Sequence, residues 1–194
     1  SFYNETPETA IFPTPVVGML GLIENVEARC TIGFKKAGDV VVLLAASGLD
    51  LDETESAGLG GSEYLKVIYG KVAGAPPALD MAAEKRLHRC LLEAIEKGIL
   101  SSAHDCSDGG IAIALAESCI VGGIGLRAKI PPASRTSAAL FGEFQSRAIV
   151  SVQPDKVPML HEIAEKHIVP SSVLGILRGD RLTIEVEGSV VVDK

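Results

Sequence analysis

The feature that most restricts the fold is the unbroken apolar run VVVLLAA at residues 40–46, set directly behind the Gly38-Asp39 turn. A strand with one face in water alternates apolar and polar residues; this one does not alternate, so both of its faces must be covered. Such a strand belongs inside a sheet with layers packed on it, and a chain of 194 residues with 47% apolar content can supply them. The expectation is an α/β (α+β) fold, a mixed β-sheet packed with α-helices in two or three layers.

The rest of the chain supplies the layers. Asp80 reads as the N-cap of a helix over 81–97, with Leu87, Leu91 and Ile95 recurring at helical spacing and Gly98 as the stop. A second helix is expected from near Gly109 to about Val121, apolar nearly all round and therefore buried. Helices are also expected over 137–143 and, despite Pro158, over 154–167 with Val157, Leu160 and Ile163 inward. Strands are read at IFPTPVVGMLGLIEN (11–25), GGIGLRAKI, SRAIVSV (146–152) and VLGILR (173–178), the last two forming a β-α-β unit with the helix between them. Gly179-Asp180 reads as a two-residue turn joining VLGILR to RLTIEVE in a hairpin. Residues 47–79 are rich in Gly and poor in periodicity, a loop region with a short helix from Ser62.

Charge and composition remove several function classes. A net charge of −7 offers no basic field for nucleic acid or anionic membrane. With 4% aromatic residues and no Trp, base stacking on exposed aromatic platforms is also disfavoured. Cys30, Cys90, Cys106 and Cys119 form no CxxC pair and read as thiols of a reducing cytoplasm. No apolar run has membrane-spanning length, and the start SFYNETPETA has no secretion-signal pattern. Because it begins with Ser, the chain is expected to be a fragment of a longer polypeptide. A small-molecule ligand is the best remaining class.

The stretch SAHDCSDGG, residues 102–110, crowds Asp105, Ser107 and Asp108 in front of the apolar helix. Two readings stay open. Either Ser107 or Asp108 is an N-cap and the glycines permit close packing, or Gly109 and Gly110 let a phosphate approach the helix N-terminus while Asp105 holds an accompanying Mg2+. The pattern is neither a Walker A loop nor GxGxxG. LGGSEYL (59–65) is read as a turn before a helix capped by Ser62. His88, His161 and His167 read as solvated helix-surface residues. Glu143, Gln145 and Arg147 alternate into a strand and read as a salt-bridged sheet edge.

Taken in order, SFYNET, PTPVVGMLG, GDVVVLLA, LGGSEYL, SAHDCSDGGIAIALAE, FGEFQSRAIVSV and RGDRLTI resemble the C-terminal part of the phosphoribosylformylglycinamidine synthase family, the small-type synthetase subunit of purine biosynthesis. The resemblance covers essentially the whole chain. It implies the C-terminal module of the aminoimidazole ribonucleotide synthetase-like fold, with residues 1–36 ending a second N-terminal-type module and 37–194 forming a second C-terminal-type module. The implied activity is that of an ATP-dependent ligase turning formylglycinamide ribonucleotide and ammonia into the amidine. Implied cofactors are ATP and Mg2+. Implied partners are the N-terminal remainder of the same enzyme, a glutaminase subunit that supplies ammonia, and a small accessory subunit.

The resemblance places the catalytic residues outside this chain, so the isolated chain is expected to be inactive. It implies substrate binding for Ser1, a metal role for Asp105 and nucleotide contacts for Ser107, Gly109 and Gly110, with Glu143, Gln145 and Ser146 as weaker candidates. Selenophosphate synthetase and thiamine monophosphate kinase relatives are the alternatives within the superfamily. A scaffold module that packs against the other copy is the alternative outside it.

Overall fold

The computed structural model describes residues 4–8, 10–11, 17–46, 58–132 and 135–194. Seven strands form one mixed sheet: β3 (Val40–Ala45), β4 (Leu100–Asp105), β5 (Leu126–Ile130), β6 (Arg147–Val152), β7 (Ser171–Leu177), β8 (Leu182–Val186) and β9 (Ser189–Asp193), in the spatial order β4-β6-β3-β7-β5-β8-β9. Two short strands, β1 (Asn4–Glu5) and β2 (Ala10–Ile11), pair apart from it. The helices are α1 (Glu63–Tyr69), α2 (Met81–Glu96), α3 (Gly110–Gly122), α4 (Thr136–Phe141) and α5 (Val157–Lys166). This is the α/β fold expected from the apolar run.

β3 is buried along its whole length, and the two sides of the strand enter different cores. Val41 and Leu43 pack with Ile111 and Leu115 of α3 and with Leu140 of α4. Val42 and Leu44 pack with Leu87 and Cys90 of α2 and with Leu160 and Ile163 of α5. Burying a side chain of this size stabilises by roughly 1.5–3 kcal/mol, so a polar residue anywhere in β3 would strip a contact from one layer. β6 and β7 lie either side of β3 and antiparallel to it, hence parallel to each other with α5 between them in the chain. The β-α-β unit is therefore present, split by β3.

The Gly179-Asp180 hairpin is not formed. β5 lies between β7 and β8, and the 178–181 loop arches over its start: Gly125 N–H donates to Gly179 O at 2.8 Å and Arg178 N–H to Gly125 O at 2.9 Å. A Cβ on Gly125 would stand 2.4 Å from both the N and the O of Arg181, so the crossing needs glycine. The alternation in RLTIEVE is that of a strand bonded to β5 and β9, and the true hairpin turn follows at Glu187 and Gly188.

Residues 17–25 form no strand either. Met19, Leu20 and Leu22 are almost fully exposed, without the neighbouring strand that such a run needs. In α2 the buried positions are Ala83, Leu87, Cys90 and Ala94, while Leu91 and Ile95 are only half-buried, because the helix rolls small residues onto the sheet. α3 is buried on one side through Ile111, Ala112 and Leu115 and leaves Ile120 and Val121 exposed. Its apolar surroundings are one-sided although its sequence is not.

Candidate functional site

Three loops meet at the ends of β3, β4 and β6. Ser62 caps α1 as expected: its Oγ accepts the Leu65 N–H at 3.3 Å and donates to Leu59 O at 2.6 Å. Gly60 precedes it for a steric reason, since a Cβ there would lie 2.0 Å from Ala75 O. β4 delivers His104 and Asp105. β6 starts after Glu143, Gln145 and Ser146. Together with the first turns of α2 they line a cleft of about 370 Å³ that Asp105, Ser107, Asp108, Glu143, Gln145 and Ser146 share with Glu84 and His88.

The start of α3 is built differently from either cap considered above. Neither Ser107 nor Asp108 makes a side-chain cap; the N-cap is Gly109, at φ 76°. A carboxylate from elsewhere replaces the cap: Glu143 Oε1 accepts the N–H of Gly109 at 2.8 Å and also that of Glu63, at the start of α1, at 2.9 Å. Glu143 N–H in turn donates to Gly58 O at 2.9 Å. Gly110 N–H donates to Ser107 O at 3.0 Å, so the N–H groups of both glycines are engaged within the chain. Gly110 is also pressed against α4, where a Cβ would lie 2.7 Å from Gly142 O.

Asp105 is open to solvent, its side chain 76% exposed, with His104 Nδ1 at 3.2 Å from its Oδ1. The other His104 ring nitrogen lies 2.8 Å from Glu117 Oε2 on α3, so this ring spans two carboxylates. Behind Ser107, Cys106 is buried, and burial pushes its thiol pKa up to about 12. Burial also brings the Arg147 guanidinium down to about 10; it lies 4.4 Å from the Phe144 ring centroid. Residues 143–147 do not lie at the sheet edge expected for them: β6 is an interior strand between β4 and β3, and Arg147 is 5% exposed.

The histidines are likewise more engaged than a solvated reading allows. His161 Nδ1 lies 2.6 Å from Ser171 Oγ, and His167 Nε2 lies 2.7 Å from Glu93 Oε2. His88 remains 62% exposed yet meets Glu84 Oε1 at 2.9 Å. Sequence reasoning missed Glu84 and His88 as cleft residues; their one-turn spacing beside the inward Leu87 was the available signal. Ser1 lies outside the described residues. Among the described residues no group of three or more His, Cys, Asp or Glu side chains is placed to hold a metal ion, and no helix is long and apolar enough to cross a membrane.

Comparison with known proteins gives the geometry its context. The family model for the AIR synthase related protein, C-terminal domain, matches residues 36–187. The whole chain is 44% identical to the phosphoribosylformylglycinamidine synthase subunit PurL of Caldanaerobacter subterraneus subsp. tengcongensis and spans 25% of that protein's length. Among solved structures, T. maritima PurL complexed with ATP matches 87% of the chain and 27% of its own, at a TM-score of 0.66 and 21% identity. PurLQS from Thermotoga maritima matches the same 87% of the chain and 27% of its own, also at 0.66 and 21%. These structures share the fold.

Proposed function

Because the chain belongs to the AIR synthase related C-terminal domain family, we propose that it is the C-terminal part of a phosphoribosylformylglycinamidine synthase, an ATP-dependent carbon-nitrogen ligase of purine biosynthesis. The observation that carries this reading is the convergence of Gly60 and Gly61, of residues 104–108, and of Glu143 and residues 145–147, parts of three stretches of the resemblance, on a single cleft. The match of the whole chain to a quarter of a PurL subunit supports it. In this reading residues 1–36 close the preceding module and 37–194 form the second C-terminal-type module; the family match from residue 36 supports that division. The catalytic groups lie in the remainder of the longer protein, and Ser1 contacts substrate.

Ser107, on the cleft wall, takes the nucleotide together with Gly109 and Gly110 at the buried start of α3 just behind it, and Asp105 takes Mg2+. The donor set fits the ion: Asp105 offers exposed hard oxygens, and Mg2+ completes its shell with phosphate oxygens and water rather than an all-protein cage. Bound there, Mg2+ would offset phosphate charge. With the glycine N–H groups engaged internally and the space beside both glycines filled by Ile113 and by the end of α4, the Ser107 hydroxyl is the donor on offer to the ligand. ATP as cofactor is supported by the ATP complex of the T. maritima relative. A glutaminase and a small accessory subunit as partners are supported by the PurLQS assembly. A cytoplasmic setting agrees with four free cysteines.

The test is amidine formation from formylglycinamide ribonucleotide, ATP and ammonia. The 194-residue chain alone should give none, and a chimera in which it replaces the matching quarter of the Caldanaerobacter relative should turn over. A folded but inactive chimera refutes the reading. A second reading, a module that chiefly packs against other parts of a longer protein, is favoured by the exposed apolar residues Val17, Met19, Leu20 and Leu22. It predicts an active chimera with no nucleotide bound to this module.

A further inference from the structure

We propose that Ser146, Glu84 and His88 form, inside the cleft, a recognition site for a vicinal diol, the ribose of the bound nucleotide; the inference rests on the nucleotide reading given above. Ser146 is a non-glycine residue at φ 58° and only 5% exposed. A serine backbone is strained in this region and persists there only when its surroundings over-determine it, a condition that collects at ligand sites. The surroundings are specific. Ser146 O accepts the Ala46 N–H at 2.9 Å, and Ser146 Oγ donates to Glu84 Oε2 at 2.5 Å.

Glu84 Oε1 in turn meets His88 Nε2 at 2.9 Å, one helical turn further along α2. Each carboxylate oxygen has two lone pairs, so with one contact on each, Glu84 keeps capacity for two further O–H donors. Its side chain is 27% exposed, and that opening is into the cleft. A vicinal diol presents two adjacent hydroxyls to a carboxylate, which is how acidic side chains hold ribose in dinucleotide sites. Pro77, Leu87 and Leu91 add an apolar lining beside it that suits a flat ring. Glu84 and Ser146 contact the ligand. His88 is a positioning residue that fixes the carboxylate plane.

The strain supplies the control. Glycine at position 146 reaches the same positive-φ backbone without steric strain, so Ser146→Gly removes the hydroxyl without demanding a new backbone conformation. The experiment titrates Mg-ADP and Mg-2′,3′-dideoxy-ADP into the full 194-residue chain by calorimetry. Wild type should bind the dideoxy compound about tenfold more weakly, the loss expected for hydrogen bonds to a charged acceptor. Glu84→Gln and Ser146→Gly should bind ADP nearly as weakly as wild type binds the dideoxy compound, with the discrimination gone. His88→Ala should reduce the discrimination without altering dideoxy binding.

Equal binding of both nucleotides by wild type overturns the diol site and leaves the nucleotide reading standing. Discrimination retained in Ser146→Gly and Glu84→Gln also overturns it. Should Glu84→Gln fail to fold, Ser146→Gly decides alone. A wild-type chain that binds neither nucleotide overturns the nucleotide reading, and this inference with it.

Discussion

The backbone N–H of Gly109 donates to Glu143 Oε1 at 2.8 Å, across 34 residues of chain. The same oxygen receives the Glu63 N–H, so one carboxylate satisfies the first donors of α3 and α1 and ties the 58–69 segment to the floor of the cleft. A negative charge at two helix N-termini is favourable on dipole grounds as well. Glu143→Ala should leave both donors without that acceptor and cost about 1–3 kcal/mol in urea denaturation. Glu143→Gln keeps an oxygen in place and should cost clearly less. Equal losses in the two variants would show that packing, not the shared acceptor, is what residue 143 supplies.

Much of this was legible in the sequence, and the failures share a cause. VVVLLAA, the Asp80 cap and the Ser62 cap are local signals, and the structure forms each of them. Asp80 Oδ1 accepts the N–H groups of Ala82 and Ala83 at 2.8 and 3.1 Å. The Gly179-Asp180 hairpin failed because a local turn signal does not reveal that β5, far upstream in the chain, inserts between the strands. The cap of α3 failed for the same reason, since its acceptor comes from Glu143 rather than from Ser107 or Asp108. β4 went unread because LSSAHD lacks β-branched residues and its pairing with β6 is long-range. Asp105 and Ser107, singled out by their place before an apolar helix, do line the cleft; for Glu84 and His88 the helical spacing shows that they share a face, but only the fold shows that this face meets the cleft.

Gly110 tests whether the glycine pair serves packing. At φ 65°, a Cβ added to Gly110 would stand 2.7 Å from Gly142 O and 3.0 Å from Leu140 O, so Gly110→Ala meets both backbone strain and a backbone clash. Gly98, at φ 61° with nothing within 4 Å, meets the strain alone. Gly98→Ala should therefore cost about 1–2 kcal/mol, and Gly110→Ala distinctly more, read from chemical denaturation of both variants. Similar losses would mean that α4 shifts readily away from residue 110.

Glu93 should give the chain an acid-sensitive anchor between α2 and α5. Lys166 first, then Lys97 and His167, hold its carboxyl at about 2, against an ordinary value of 4.5. A carboxyl whose folded pKa is depressed contributes its stability above the ordinary value and loses it as pH falls through the folded value. The denaturation midpoint should thus fall between about pH 4.5 and about pH 2, and Glu93→Gln should flatten that part of the profile. A variant profile parallel to wild type over this interval would remove Glu93 as its source.

The last prediction separates a metal-nucleotide role for Asp105 and Ser107 from a purely structural one. Neither residue caps α3, and Asp105 is too exposed for its charge to matter much to folding. Their removal should therefore leave the unliganded melting temperature close to wild type. If Asp105 holds Mg2+ and Ser107 donates to a phosphate, Asp105→Asn and Ser107→Ala should each reduce the stabilisation by Mg-ADP, by about 1–3 kcal/mol where one charge-assisted contact is lost. Repeating the measurement with ADP and EDTA divides the two roles: Asp105→Asn should then match wild type, because its contribution runs through the ion, while Ser107→Ala should still fall short. Undiminished Mg-ADP stabilisation in both variants would refute these assignments, and a Ser107 deficit that vanished with EDTA would reassign that hydroxyl to the metal.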